Sequence, residues 1–297
     1  MGKVIDVDKG RLLVASDIHG NWEDYMRIRV MFRQLKRRGK ADILVLDGDL
    51  VHGYEGYKKD RSVQILDDLI DNPDPSILTM LGNHELMQIY HIGQVFVRPL
   101  EEQIKHNRER YIGFMKQMPY AIRTSGGVLI NHTGANPPMS GFARPKYQGL
   151  VQRVDGFRLM DGLNHDMVLE QLKKGTGFKT EGLYSPQIGR LFVQSDIGRY
   201  LWDVFFNMNE FEYGEKQYDR MLGGFLATMS NGNRPQLFVV TGHIGVPEGY
   251  KVVGGRQLRI CSSYGAEEPN KVLALVDAST QYSTVDRLVS DLVPLTK

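Results

Sequence analysis

Asn83 and His84 stand side by side directly after the apolar run Ile77–Leu81, where they offer an amide oxygen and an imidazole. Four further apolar runs end in the same manner. Arg11–Ser16 leads to Asp17 and His19, Ile43–Leu46 to Asp49, Val128–Ile130 to His132, and Leu237–Val240 to His243. A single cluster of this kind is most simply a surface loop. Five in succession, each beside a glycine that lets the main chain turn sharply, are hard to assign to core packing. Carboxylate, imidazole and amide groups together form an oxygen-and-nitrogen donor set suited to first-row transition metals. No thiolate joins it, which disfavours a structural zinc knot.

Groups at the carboxyl ends of strands line the crevice in which open α/β sheets hold their ligands. The pattern therefore predicts a strand before each cluster and a helix after several of them. Alternation along Ser16–Asn21 puts Asp17 and His19 on one side. Tyr25, Ile28, Phe32 and Leu35 then recur at helical spacing, and Lys36-Arg37-Arg38 before Gly39 ends that helix. The unit repeats with the strand Ile43–Leu46 and the helical face Val63, Leu66, Leu69 and Ile70. Glu85 stands where a helix would start.

Val4–Val7 and Arg11–Ser16 flank Asp8-Lys9-Gly10 and are expected to pair as a hairpin. One helix is expected over Pro99–Met118. From Ala135 to about Pro235 the alternation lapses into helical patterns, and Leu201, Trp202, Phe205, Phe206 and Met208 read as core. Leu258–Cys261 and Val272–Val276 supply two more strands. The whole chain, 1–297, reads as one α/β domain with a helical insertion at about 135–235.

With 297 residues, 41% hydrophobic and 24% charged, the chain can bury a sizeable core. Thirty-seven Lys and Arg against 35 Asp and Glu leave a net charge of +2, so no strong field predicts a nucleic-acid or membrane partner. Cys261 is the single cysteine, which excludes an internal disulfide and suits a reducing cytoplasm. Its apolar run makes it a buried structural thiol rather than a nucleophile. The start of the chain has no apolar signal core and no run approaches membrane-spanning length, so a cytoplasmic location is expected. His91, His106 and His165 lack motif context and read as surface or helix positions.

Together, Asp17-Ile18-His19-Gly20-Asn21, Gly48-Asp49, Gly82-Asn83-His84-Glu85, Asn131-His132 and Gly242-His243 resemble the signature blocks of the calcineurin-like metallophosphoesterases. The match is closest to the phosphoprotein phosphatase branch with its bacterial and phage relatives. His132–Pro137 resembles that branch's histidine-glycine block. Ile260–Gly265 through Asp277 resembles its C-terminal block, where a tyrosine, here Tyr264, lies near the metals. Gly245 replaces the second histidine of Gly-His-x-His, as it does in that branch. The resemblance covers residues 11 to about 134 and 237–277 and leaves the insertion largely uncovered.

What the resemblance implies is a four-layer α/β/β/α sandwich holding two divalent or trivalent ions of manganese, iron or zinc. Asp17, His19 and Asp49 would bind one ion; Asn83, His132 and His243 would bind the other, with Asp49 as the bridge. A dinuclear metal-activated hydroxide would attack phosphorus, and His84 would protonate the leaving alkoxide. The implied activity is phosphomonoester hydrolysis, with phosphoserine or phosphothreonine in proteins as the expected substrate and small phosphoesters as an alternative. Where the branch carries Asp-Arg after the bridging aspartate, this chain has His52-Gly53. His52 and Tyr264 are then candidates to contact substrate. Arg144, Arg153, Arg190, Arg199 and Arg220 are candidates to replace the missing phosphate clamp, with Arg220 first because of Tyr218-Asp219-Arg220. Two rivals stand beside this reading: a nucleotide, dinucleoside polyphosphate or diester hydrolase, and a non-catalytic interaction module on the same fold.

Overall fold

A computed structural model describes residues 2–52, 60–141, 155–174 and 186–295. The strands that deliver the candidate residues lie in two sheets. In the first, β2 (Arg11–Ser16), β3 (Ile43–Asp47) and β4 (Ile77–Thr79) run parallel, and β10 (Val272–Asp277) lies antiparallel between β2 and β11 (Leu292–Pro294). In the second the order is β1 (Val4–Val7), β5 (Ala121–Thr124), β6 (Val128–Asn131), β7 (Phe238–Thr241), β9 (Gln257–Ile260) and β8 (Tyr250–Val253). There β6, β7 and β9 are mutually parallel.

Alternating side chains explain the layering. Leu12 and Val14 of β2 and Val45 of β3 share a buried core with Ile130, Val240 and Leu258, which places them between the sheets. Their neighbours Leu13, Ala15, Leu44 and Leu46 pack instead with Tyr25, Ile28, Phe32, Ile65 and Leu66 on the flanking helices. A strand buried on both faces needs a continuous apolar run, and Leu12–Ala15 is one. The observed arrangement of two sheets flanked by helices is the expected sandwich.

Helix α1 (Trp22–Arg37) starts where Asn21 accepts from the Asp24 amide, carries Glu23 and Asp24 in its first turn and ends on Lys36 and Arg37. Each charge complements the helix dipole. Helix α2 (Ser62–Asp71) crosses from β3 to β4, and α3 (Asn83–Tyr90) follows β4. The insertion contributes α6 (Gly156–Asp161), α7 (His165–Lys174), α8 (Pro186–Gln194), α9 (Asp196–Phe205), α10 (Glu210–Tyr213) and α11 (Glu215–Met229). Helix α12 (Val285–Ser290) precedes β11. Among the described residues no helix is long and apolar enough to cross a membrane.

Three expectations need correction. Val4–Val7 and Arg11–Ser16 do not form a hairpin: β1 pairs in parallel with β5, Val4 opposite Ala121, while β2 sits centrally in the other sheet. The glycine turn marks a change of direction but does not choose a partner, and β2 requires neighbours on both edges. The expected helix over Pro99–Met118 is two, α4 (Gln94–Ile104) and α5 (Arg108–Gln117), divided where Asn107 bonds back to Ile104. Finally, the aromatic cluster divides: Leu201 and Phe205 are buried, whereas Trp202 is 39% and Met208 48% exposed.

Candidate metal centre

The carboxyl ends of β2, β3 and β4 in one sheet and of β6 and β7 in the other meet at a single edge. Four candidates there have left-handed main-chain conformations: Asp17 (φ 56°), His19 (45°), Asp49 (51°) and His243 (72°). Such conformations are uncommon outside glycine, and Asp and His tolerate them best. The turns are tightened by hydrogen bonds from His19 N to Asp49 O and from Tyr264 N to Asp17 O, at 2.8 and 2.9 Å. Gly82 is present for a different reason than turning: a Cβ there would lie 2.3 Å from Asp49 Oδ1 and 2.4 Å from Asp49 N.

Asp49 is the hub. Its Oδ1 accepts from His84 N at 2.9 Å. Its Oδ2 faces His132 Nε2 at 3.2 Å, His19 Nε2 at 3.5 Å and His84 Nε2 at 3.9 Å. Burial alone would push this carboxyl up; the imidazoles of His132, His84 and His19 outweigh it and hold Asp49 well below the usual carboxylate range. On the far side, Asn83 Oδ1 faces His132 Nε2 at 3.2 Å and His243 Nδ1 at 2.9 Å. Asp17 Oδ1 accepts from His243 N at 3.1 Å and lies 3.8 Å from His19 Nε2.

The histidine tautomers follow from their outer contacts. His132 Nδ1 donates to Asp47 O at 2.7 Å and His243 Nε2 donates to Asn207 O at 3.0 Å. His132 Nε2 and His243 Nδ1 are therefore the atoms turned inward. Neither carbonyl has a sequence signature, because main-chain acceptors are independent of side-chain type. Glu85, in turn, accepts from Gly82 N, Asp49 N, Leu50 N and Val51 N at 2.8–3.1 Å, joining the start of α3 to the loop after β3. Burial and the Asp49 charge push its carboxyl up to about 7, against the pull of those N–H donors.

These residues fit a cation. Three inward donors, from Asp49, His132 and His243, lie within 4.8 Å of one another, as do those of His19, Asp49 and His84. Asp17 Oδ2 is buried with no hydrogen-bond partner. The inward Asn83 amide atom lies 3.1 Å from Asp49 Oδ2: a nitrogen there donates, whereas an oxygen is favourable only across a shared cation. Burial pulls His132 down, but the charges of Asp49, Asp17 and Asp47 overcome it and raise its imidazole to about 10. The carboxylates that hold that proton would hold a cation in its place. Burial pushes His84 and His243 to about 4, so both rings stay neutral at pH 7.

His52 is not a solvated loop residue. It is buried, its Nδ1 lies 3.4 Å from His19 Nδ1, and its ring is stacked with His84 at 6.2 Å. Burial and the neighbouring His19 and His84 charges lower it to about 3. Tyr264, 43% exposed, lies over His19 and His52 at ring distances of 4.6 and 5.4 Å. Arg220 stands exposed on α11 with its Nε toward Lys216 O, while Tyr218 two residues earlier is fully buried. Arg190 and Arg199 are on α8 and α9; Arg144, Arg153 and Gly53 lie outside the described residues. Of the histidines without motif context, His106 is exposed but His91 and His165 are buried, His165 Nδ1 lying 2.9 Å from the Tyr90 hydroxyl. Cys261 is buried, as expected.

Comparison with solved structures finds similar chains at low sequence identity. A cold-active protein-tyrosine phosphatase of the psychrophile Shewanella sp. aligns at TM-score 0.54 and 14% identity, over 94% of this chain and 78% of that one. A protein serine/threonine phosphatase from Saccharomyces cerevisiae, with similarity to human phosphatase PP5, aligns at TM-score 0.45 and 11% identity, over 94% and 84%. A metallophosphoesterase from Sphaerobacter thermophilus aligns at 0.42 and 12%, over 91% and 85%. Sequence comparison with curated proteins finds no match. The family model for calcineurin-like phosphoesterases matches residues 10–275, a span containing every candidate residue above, and the chain belongs to that family of metal-dependent phosphoester hydrolases.

Proposed function

We propose that the protein is a dinuclear phosphomonoesterase acting on phosphoserine or phosphothreonine in proteins. The observation that carries this reading is the convergence on Asp49 of His19, His84 and His132, with Asn83 and His243 completing the far side. Asp17, His19 and Asp49 would hold one ion and Asn83, His132, His243 and Asp49 the other; imidazole-rich sets favour manganese, iron or zinc over magnesium. When bound, such a pair supplies an activated water and neutralises charge on the phosphoryl oxygens.

The chain's own residues do the rest. Asp49 joins the two halves through Oδ2, which faces His19 of one and His132 of the other. His84, near the start of α3, would give its ring proton to the leaving oxygen. The ring is neutral in the free site; a phosphate dianion beside it raises its affinity for a proton, so the bound substrate itself brings the ring to the protonated form that acts as acid. The helix start favours that same anion. His52 accepts the Nδ1 proton of His19 and, with Tyr264, faces the substrate; Arg220 is the first arginine to test as a clamp on the phosphate.

The test is metal content together with a parallel screen of phosphopeptides, nucleotides and diesters. Two transition-metal ions per chain and the highest kcat/KM on phosphoserine or phosphothreonine peptides are expected. Preference for nucleotides or for bis(p-nitrophenyl) phosphate would replace the substrate assignment. Metal-loaded protein without turnover on any of them would leave an interaction module.

A further inference from the structure

The carbonyl that fixes His243 belongs to the insertion. Asn207 lies in the irregular link between α9 and α10, where no sheet ladder holds the main chain in place. Side chains hold it instead. Asn207 Oδ1 accepts from Asn209 N at 3.2 Å, and Asn207 Nδ2 donates to Val204 O at 3.2 Å. The Asn209 amide, turned so that its nitrogen faces acceptors, donates to Tyr218 Oη and Thr133 O at 3.0 and 3.1 Å and accepts from Arg259 Nη2 at 3.2 Å. Glu210 then closes the link. Its Oε1 accepts from Arg259 Nη1 at 2.9 Å and from Lys251 Nζ at 3.0 Å, and its Oε2 accepts from Arg259 Nη2 at 2.7 Å.

Arg259, on β9, is fully buried and Glu210 is 7% exposed. Desolvating two charges recovers little net stability even with good geometry. A bidentate guanidinium–carboxylate pair does fix position and orientation together, which a lysine does not. We infer that the Arg259–Glu210 pair is a clamp for His243: it locks residues 207–210 so that the Asn207 carbonyl keeps the His243 proton on Nε2 and leaves Nδ1 turned inward. Arg259 and Glu210 are thus positioning residues. This inference rests on the reading of His243 as a ligand, and it gives the insertion a role at the centre.

Calorimetric titration with Mn²⁺ tests it, on wild type, Arg259→Lys and the double variant Arg259→Met with Glu210→Met. A second double variant, Asp6→Asn with Arg123→Met, removes another buried arginine together with its exposed carboxylate partner, whose Nε–Oδ1 distance is 2.7 Å, and serves as control. Both Arg259 variants should weaken one of the two Mn²⁺ sites by about 10–100-fold and leave the other within about twofold, as independent sites should behave. In metal-free protein, ring nitrogen NMR should show His243 losing its pure Nε2–H tautomer. The control should change neither. Wild-type affinity at both sites with an unchanged His243 tautomer in folded Arg259→Lys would overturn the clamp, whether or not the double variant folds. A wild-type chain that took up no Mn²⁺ would strike the metal reading itself, while the metal-free tautomer would still decide the clamp.

Discussion

The two sides of the centre are supported by different kinds of group. On the β6 and β7 side, His132 and His243 give their outer N–H to main-chain carbonyls, Asp47 O and Asn207 O. On the β2 side, His19 turns its Nδ1 to another imidazole, His52, at 3.4 Å. A carbonyl is always an acceptor, whereas an imidazole nitrogen accepts in only one tautomer. One side is therefore held by groups that substitution cannot remove directly. The other depends on a single replaceable side chain.

The largest expected effect removes the distinction altogether. Asp49→Asn deletes the charge shared by both sides, so metal stoichiometry and turnover should fall together, with an activity loss beyond the about 10²–10⁴-fold typical of losing a general acid. Two ions at full occupancy with normal activity would break the shared-bridge assignment. His84→Asn comes next. It should cost about 10²–10⁴-fold on alkyl phosphates, less on p-nitrophenyl phosphate, and leave both ions bound. An equal loss across leaving groups of very different basicity would remove the acid role.

His52→Phe sharpens the comparison most directly. Losing the acceptor of His19 should weaken one ion by about 10–100-fold and spare the one on the carbonyl-held side. A uniform weakening of both sites, measured by the same Mn²⁺ titration, would show that the two sides are not independent. The smallest effect belongs to Arg220→Ala, a change at an exposed position. A clamp role predicts lower kcat/KM and weaker inhibition by inorganic phosphate at unchanged metal content; unaltered phosphate inhibition would clear the residue.

The sequence was most informative where side-chain type and strand position coincide. Apolar runs ending in Asp, His or Asn named Asp17, His19, Asp49, Asn83, His84, His132 and His243, and the structure brings all seven to one edge. Pairing was harder to read, because the short half-exposed strand β1 carries nothing to say that Ala121 lies 117 positions along the chain from its partner Val4. Supports of the site were harder still. The carbonyls of Asp47 and Asn207 act through the main chain, and His52 gave no sign of burial because it follows a loop aspartate. Arg259 and Glu210 read as ordinary charges in a strand and a helix, and only packing shows that they meet.

Strand β10 has a consequence for how the molecule is made. It lies between β2 and β11, with Ala274 opposite Val14, so the neighbour that covers one edge of the central strand β2 comes from residues 272–277. The ribosome will have released Asp17, His19 and Asp49 long before that strand exists. Until then β2 presents an open, apolar edge, the kind of surface that exposes a nascent chain to misassembly. Long sequence separation between pairing strands also slows closure. Metal loading is accordingly a late event in the life of the chain: the amino-terminal third supplies one side's ligands, yet has no finished sheet to hold them.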